Sequence, residues 1–250
     1  MKIQYCSDLH LEILGNNNWI KNNPMVVAGD ILVIAGDTSY LDENFKNLDF
    51  FNQVSDNFRQ TYIIPGNHEF YRGYDVSVCE GSINEDLMDN VKLIHNDIAY
   101  EDGVKLIFST MWARIVEHTK IIRLGITDFH RIKYKGKRFS PYHFNEIHKK
   151  CFQFIEKEVQ EKSKKVVVTH HLPSELCNAP EHNNSKFNEA FCAEKTDFIA
   201  NSEIDYWIYG HNHRVLPEID IKGTKLVSNQ LGYVDHYEHL NFAWDKHFEI

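Results

Sequence analysis

The sequence predicts an α/β fold in which helices cover both faces of a central sheet system. Short runs rich in β-branched and aromatic residues, bounded by Gly, Asp or Pro, indicate buried strands. Two longer segments carry apolar residues at a spacing of three to four, which is typical of one helix face. Ligand-type polar side chains follow several strand runs, where open α/β sheets place their sites.

Each predicted element rests on its own run of residues. In chain order, the predicted strands cover 3–6, 31–35, 62–64, 106–108, 165–168 and 206–209. The helical stripes cover 41–58 and 144–159, and we expect both to face the core. With 250 residues, the chain can bury one substantial core and is expected to form a single domain, 1–250.

Two further segments lie outside this strand and helix pattern. A closing hairpin is predicted at 217–227, with Lys222 and Gly223 as its turn. The segment 112–143 mixes basic and aromatic residues without a clean period. We expect it to be an insertion, and two interpretations stay open: a lid that supplies substrate contacts, or a solvated surface excursion.

Composition restricts the compartment and the partners. Lys+Arg 27 against Asp+Glu 36 gives a formal net charge of -9, so nucleic acid is not the favoured partner. The five cysteines are widely spaced and include no CxxC pair, so no disulfide framework is indicated. The N-terminus leads straight into a strand, and no apolar run reaches membrane-spanning length. We expect a cytoplasmic protein without a membrane partner.

Five short segments each end a predicted strand with metal-ligand residues. They are Asp8-Leu-His10, Gly36-Asp37, Asn67-His68-Glu69, His170-His171 and His211-Asn-His213. A single segment of this kind often arises by chance, because His and Asp also cap helices or satisfy buried polar groups. Five in order predict a two-metal phosphoesterase centre. A carboxylate such as Asp37 would offset the repulsion between two neighbouring cations by bridging them.

The order and wording of these motifs resemble the calcineurin-like metallophosphoesterase superfamily, from Asp8 to His213. The resemblance implies a four-layer α/β/β/α sandwich and a pair of divalent metal ions. It implies that the first ion is held by Asp8, His10, Asp37 and His213, and the second by Asp37, Asn67, His170 and His211. Each set mixes nitrogen and oxygen donors and leaves positions open for water and phosphate.

Alignment by the strand end favours His170 over His171 as the metal ligand, with the reverse assignment open. His171 would then face the substrate or support the ligands. The resemblance implies that His68 binds no metal. It would act as general acid or stabilise the charged phosphorus centre, and Asn67 would also contact the substrate. Glu69 is a candidate to orient the His68 ring.

Arg114 and Arg131 are candidates to hold a non-bridging phosphate oxygen, although both could be ordinary surface residues. Tyr40 completes a Gly-Asp-x-x-Tyr pattern that is similar to purple acid phosphatases, in which the tyrosine binds ferric iron. This chain departs from those enzymes because it carries His10 in the first motif. We therefore expect Tyr40 to belong to the core or to the substrate wall.

The predicted function is metal-dependent hydrolysis of a small phosphorylated substrate, with a phosphodiester preferred and a metal-bridging hydroxide as nucleophile. The donor set suits Mn, Zn, Fe or Co, and Mn is favoured. The alternatives are a phosphomonoesterase or a nucleotide-pyrophosphate hydrolase, and less favourably a single-strand nuclease using 131–138 or a non-catalytic scaffold. Glu69, in place of an Arg after the Asn-His pair, argues against the serine/threonine phosphatase branch. The oligomeric state is not encoded in these patterns.

Overall fold

A computed structural model of the chain describes residues 1–182 and 184–250. Within them the strands are β1 (Lys2–Cys6), β2 (Ile31–Ile34), β3 (Gln60–Ile63), β4 (Ile83–Met88), β5 (Val91–His95), β6 (Asp97–Glu101), β7 (Val104–Phe108), β8 (Lys133–Tyr134), β9 (Lys137–Arg138), β10 (Lys165–Val168), β11 (Tyr206–Ile208), β12 (Ile219–Ile221), β13 (Thr224–Val227) and β14 (His247–Glu249). The α-helices are α1 (Leu14–Asn22), α2 (Asp49–Asn57), α3 (Thr119–Gly125), α4 (Asp128–Arg131), α5 (Pro141–Glu158) and α6 (Thr196–Ile199).

Twelve of these strands form two six-stranded sheets with the same plan. The first has the order β14-β1-β2-β3-β5-β4, and the second has the order β12-β13-β11-β10-β7-β6. In each sheet the four inner strands are parallel and both edge strands are antiparallel to their neighbours. Because the inner strands of each sheet run the same way, their carboxyl ends meet at one edge.

The sheets pack face to face, because alternate side chains along β2 enter two different core clusters. Ile31 and Val33 of β2 share a core cluster with Val166 of the second sheet, whereas Leu32 and Ile34 pack into the cluster that contains the residues of α1, α2 and much of α5. A third cluster joins the outer face of the second sheet to the C-terminal part of α5 and to α6. Helices therefore cover both outer faces, which confirms the predicted four-layer α/β/β/α sandwich.

The predicted hairpin and the second helical stripe are confirmed. β12 and β13 pair antiparallel around Lys222 and Gly223, whose φ angles of 49° and 97° are left-handed. Helix α5 begins at Pro141, and the side chain of Ser140 accepts a hydrogen bond from the His143 N–H at its N-terminus. Asn145 of this helix accepts a hydrogen bond from the Ile115 N–H of the segment 112–143 at 2.9 Å.

The first stripe forms a shorter helix than predicted. Only Asp49–Asn57 is α-helical; Phe45–Asn47 is a 3₁₀ turn, and Leu48 is extended with φ -66° and ψ 123°. Phe45 and Phe51 still enter one core cluster. The apolar spacing over 41–58 therefore reflects a shared core rather than one continuous helix.

All five cysteines are free and buried. Over 1–182 and 184–250, no helix combines the length and the apolar character needed to cross a membrane. The insertion 112–143 contains α3, α4 and the β8–β9 hairpin. That it acts as a lid stays a prediction.

Candidate metal centre

The ligand candidates follow five inner strands, namely β1, β2, β3, β10 and β11, at the edge where both sheets end. The backbone after these strands turns sharply. Five of the candidates have left-handed φ angles: Asp8 at 56°, His10 at 47°, Asp37 at 53°, His211 at 82° and His213 at 53°. Such angles are costly for residues other than glycine and concentrate at functional sites. They allow two residues separated by one other residue, such as Asp8 and His10, to direct their side chains toward one point.

Asp8, His10, Asp37 and His213 form the first group, with one potential ligand atom of each lying within 4.8 Å of the others. The Nε2 atoms of His10 and His213 are 3.0 Å apart. Asp8 Oδ1 lies 3.4 Å from His213 Nε2, and Asp37 Oδ2 lies 3.7 Å from His10 Nε2. These four residues are the set expected for the first ion.

Asp37, His170 and His211 form a second group on the same criterion. His170 Nε2 lies 3.4 Å from Asp37 Oδ1, 3.2 Å from His211 Nδ1 and 3.1 Å from Asn67 Oδ1. Asp37 therefore turns one oxygen toward each group, so its carboxylate could bridge two ions. The structure brings together all seven residues expected to bind metal.

The donor chemistry of both groups fits divalent cations that accept nitrogen and oxygen ligands. Imidazole nitrogens face one another across 3.0 Å and 3.2 Å beside buried carboxylates, an arrangement in which a cation can be shared. Asp8, His10 and His170 are fully buried and Asp37 is 1% exposed, so their charges need internal partners. These residues would hold the ions.

Hydrogen bonds to the opposite ring nitrogens fix the imidazoles. His10 Nδ1 donates to Glu12 Oε1 at 3.2 Å, His213 Nδ1 donates to Glu238 Oε2 at 2.7 Å, and His170 Nδ1 donates to the backbone oxygen of Ala35 at 2.8 Å. Each bond leaves Nε2 free to bind a cation and strengthens it as a donor.

Glu69 has a different position from the one expected. Its carboxylate accepts the backbone N–H groups of Gly66, Asp37 and Thr38 at 2.7, 3.1 and 2.7 Å, so it joins the loops after β2 and β3. The His68 ring is instead held by Glu12, whose Oε1 accepts from Nδ1 at 2.9 Å. The expectation that Glu69 orients His68 is therefore wrong.

His68 stands beside the two groups, with a ring nitrogen that neither group uses. Its Nε2 lies 3.3 Å from the hydroxyl of Tyr233, and its backbone N–H donates to Asp37 Oδ1 at 2.9 Å. Burial lowers the pKa of His68, but the nearby Asp37 and Glu12 carboxylates outweigh burial and raise it. The ring is thus oriented at Nδ1 by Glu12, and its Nε2 faces Tyr233, which also lines the cavity.

Charges within the centre shift one another's pKa. Burial lowers the pKa of His170, but Asp37 raises it to about 9. Burial likewise lowers the pKa of His213, whereas its hydrogen bonds to Asp8 and Glu238 raise it to about 10. Against the effect of burial, His170 holds the pKa of Asp37 well below its ordinary value. A cation that binds here must displace protons from imidazoles.

The three other residues expected near the substrate are not among the described residues that line the cavity at this centre. His171 is fully buried, with both ring nitrogens lacking a hydrogen-bond partner, and its ring packs 4.2 Å from His211 and 5.1 Å from Trp112 between centroids. It supports a ligand ring instead of facing the cavity. Arg114 is exposed and outside the cavity lining. Arg131 is exposed, with its guanidinium 5.4 Å from the Tyr71 ring centroid.

Tyr40 packs against the core, and the Arg72 guanidinium lies over its ring at 5.0 Å. This packing agrees with the expectation of a core residue.

A cavity of about 410 Å³ opens at the metal centre. Asp37, Asn67, His68, His211 and His213 lie at its inner end. The described residues of its lining include no Lys or Arg. The other described lining residues are Tyr71, 125–128, Asn178, His182, Ser185, Phe187, Asn188, Ala190, Phe191, Asn212, Tyr233 and Glu238.

Several residues of the centre were not predicted. Asp128, from the insertion, accepts hydrogen bonds from Asn67 Nδ2 at 3.0 Å and from the Tyr71 hydroxyl at 2.6 Å, which directs Asn67 Oδ1 toward His170. These contacts bridge 57 and 61 residues of sequence, so no local spacing signals them. Glu12 could have been recognised as a candidate from the sequence, because it lies two residues after His10 of the first motif.

The fold and the two ligand groups define a metal-dependent phosphoesterase. Residues 1–215 match the family model described as calcineurin-like phosphoesterase, and the chain belongs to that family. The predicted resemblance and the predicted enzyme class, a hydrolase of phosphate esters that uses divalent metal ions, are thereby confirmed.

Two similar proteins extend the comparison over nearly the whole chain. Uncharacterized protein L509 of Acanthamoeba polyphaga mimivirus is 30% identical over 269 residues, covering 96% of this chain and 93% of that protein. The solved structure of Phosphopantetheinyl Hydrolase (PptH) from Mycobacterium tuberculosis superposes with a TM-score of 0.65 at 15% identity, covering 97% of this chain and 94% of that chain. The second comparison shows the common fold.

Proposed function

We propose that the protein hydrolyses a small phosphodiester with the help of two divalent metal ions. The observation that carries the proposal is the pair of ligand groups that share Asp37, placed at the inner end of a cavity beside His68. When bound, the ions would neutralise phosphate charge and lower the pKa of a water molecule.

The residues of the chain have separate tasks in this proposal. Asn67, held by Asp128, presents its amide oxygen to the second group and stands next to the phosphate position. His68 is oriented by Glu12 and turns Nε2 into the cavity, where it would give a proton to the departing oxygen. Arg131 stays a candidate for a contact at the cavity rim.

The charge of the cavity favours a diester over the alternatives. A monoester dianion or a pyrophosphate carries more negative charge than a diester, and enzymes usually meet that charge with Lys or Arg in addition to metal. Neither residue type occurs among the described residues lining this cavity. The volume of about 410 Å³ suits a small molecule better than a nucleic-acid strand.

For the metals, we favour Mn over Zn, Fe and Co. Four imidazoles, two carboxylates and one amide oxygen make up the proposed ligand sets, and Mn accepts both donor types. We place the protein in the cytoplasm because its five buried cysteines are free thiols.

The test compares bis(4-nitrophenyl) phosphate with 4-nitrophenyl phosphate, using chelated protein refilled with Mn, Zn or Mg. We expect Mn to give the highest activity, with kcat/KM for the diester at least about tenfold above that for the monoester. A preference for the monoester would contradict the proposal and identify a phosphomonoesterase. The absence of hydrolysis despite bound metal would also contradict it, and would direct attention to pyrophosphates.

A further inference from the structure

The outer part of the cavity is a wall made by two distant chain segments. One segment, 125–128, lies in the insertion where α3 ends and α4 begins, and the other, 185–191, lies in the long connection after β10. Ile126, Phe187, Ala190 and Phe191 supply its apolar surface. None of the five sequence motifs includes a residue of this wall.

The wall starts at the metal centre and runs outward. The Phe191 ring lies 4.7 Å from the ring of His211 between centroids, at an interplanar angle of 31°. Phe187 packs against the end of α3 so closely that a Cβ on Gly125 would lie 2.5 Å from its Cε1. An organic group attached to a phosphate at the metal centre would therefore meet this surface.

Glu189 ties the segment 185–191 to residues 116–118, which precede α3. Its carboxylate accepts from the backbone N–H of Val116 at 2.5 Å and of Glu117 at 3.0 Å, and from His118 Nδ1 at 2.8 Å. The carboxylate thus bonds the connection after β10 to the start of the insertion. These hydrogen bonds hold one side of the wall in a fixed position, so the wall is a defined surface.

Apart from the metal ligands, the carboxylates in the described part of the cavity lining are those of Asp128 and Glu238. Of the acidic residues that line the cavity away from the metal ligands, Asp128 accepts from Asn67 and Tyr71, and Glu238 accepts from His213. Lys and Arg are absent from the lining in the part of the chain that the structure describes. A charged group placed against the apolar surface of Ile126, Phe187 and Phe191 would lose water without gaining a partner there.

We propose that this wall binds the organic group of the phosphodiester and selects an uncharged group, with Ile126, Phe187 and Phe191 as the residues that determine specificity. The inference rests on the proposed phosphodiesterase function and adds the chemical class of the ester group. The phosphate is the single anionic group of the substrate, and its charge is met at the metal centre.

The first test uses three 4-nitrophenyl phosphodiesters that differ only in the second ester group: propyl, 2-carboxyethyl or 2-aminoethyl. We expect kcat/KM of the Mn-loaded protein to be about tenfold higher for the propyl ester than for either charged ester. Equal values for all three, or a preference for the carboxyethyl or aminoethyl ester, would overturn the inference alone. Hydrolysis of none of them would refute the proposed function and the inference together.

The second test moves charge into the wall. Ile126→Lys should raise the kcat/KM ratio of the carboxyethyl ester to the propyl ester by about tenfold, because the ammonium group pairs with the added carboxylate. Ile126→Met, similar in length but uncharged, should keep the wild-type ratio. Measurements of metal content and melting temperature serve to verify that both variants are folded. An unchanged ratio in folded Ile126→Lys would overturn the placement of the organic group.

Discussion

The two ring nitrogens of His68 have different surroundings. Nδ1 is bonded to Glu12, and Nε2 faces the cavity near the hydroxyl of Tyr233. The same carboxylate oxygen of Glu12 also holds His10, so the proposed proton donor and a proposed metal ligand are positioned by one side chain. The two proposed roles belong to different histidines, and they can be tested separately.

His68→Ala should lower kcat by about 100- to 10,000-fold while the protein keeps its metal, because the variant loses a proton donor but no ligand. The measurement is kcat on bis(4-nitrophenyl) phosphate together with metal analysis of the same sample. His247→Ala, which removes an exposed imidazole, is the matched control. A metal-free His68→Ala protein would show that His68 is itself a ligand.

Asp37→Ala should lose metal and activity together. Its two oxygens face different ligand groups, so the variant removes a donor from both. Metal content after dialysis against Mn and re-purification is the readout, with Asp89→Ala as a control for the loss of an exposed carboxylate. Retention of two ions would refute the bridging role.

At this scale the sequence motifs indicated the potential ligands better than the residues that orient them. His170 lies in a group of potential ligands and His171 does not, in agreement with the alignment by the strand end. Ligand types recur in local motifs and can be recognised there, whereas Asp128 reaches Asn67 across 61 residues. Glu69 shows the converse: a motif residue whose task is to bond three backbone N–H groups.

Among the elements, seven of the eight inner strands were predicted, whereas the inner strand β5 and the edge strands β4, β6 and β14 were not. β2 and β10 are buried along their full length and read as continuous apolar runs. β4 and β6 have exposed or half-buried positions and a more polar sequence, so their pattern resembles a loop. α1 was missed as well, because its Leu-Gly-Asn-Asn-Asn start has low helix propensity.

A substitution of Gly125, the last residue of α3, tests the proposed role of the wall. Gly125→Ala should displace the Phe187 ring and raise KM for 4-nitrophenyl propyl phosphate about fivefold, equivalent to ~1 kcal/mol of lost packing. Steady-state kinetics measure the change. Gly81→Ala is the control, since the nearest atom to its added Cβ is 3.8 Å away. Unaltered KM in Gly125→Ala would show that Phe187 does not contact the substrate.

For the whole molecule, two sheets of equal plan bring five loops to one edge. Local periodicity could predict single strands but not their partners, because the order β14-β1-β2 joins the two ends of the chain. The four layers were predicted from motif resemblance and not from spacing. The core created by this packing also encloses titratable side chains, so the stability of the fold depends on pH.

Two histidines of the core should make the protein sensitive to acid. Burial lowers the pKa of His95 and of His148 from 6.5 to about 4. Since the unfolded chain takes up these protons first, stability falls as pH drops from 6.5 toward 4. His95 accepts from the Thr110 N–H at Nδ1, which requires the neutral ring.

Between pH 7 and pH 5, the unfolding free energy of the wild type should fall by ~2 kcal/mol more than that of His95→Gln. Urea denaturation in chelator at both pH values measures the difference. His247→Gln should fall as much as the wild type, because His247 is exposed. Equal slopes for wild type and His95→Gln would contradict burial of a neutral His95.

The stoichiometry of Mn binding tests the central claim most directly. Chelated protein titrated with Mn²⁺ in a calorimeter should bind two ions per chain, because the structure presents two ligand groups that overlap at Asp37. A stoichiometry of two would support the dinuclear centre on which the proposed phosphodiesterase activity depends. Saturation at one ion, or no binding, would contradict it.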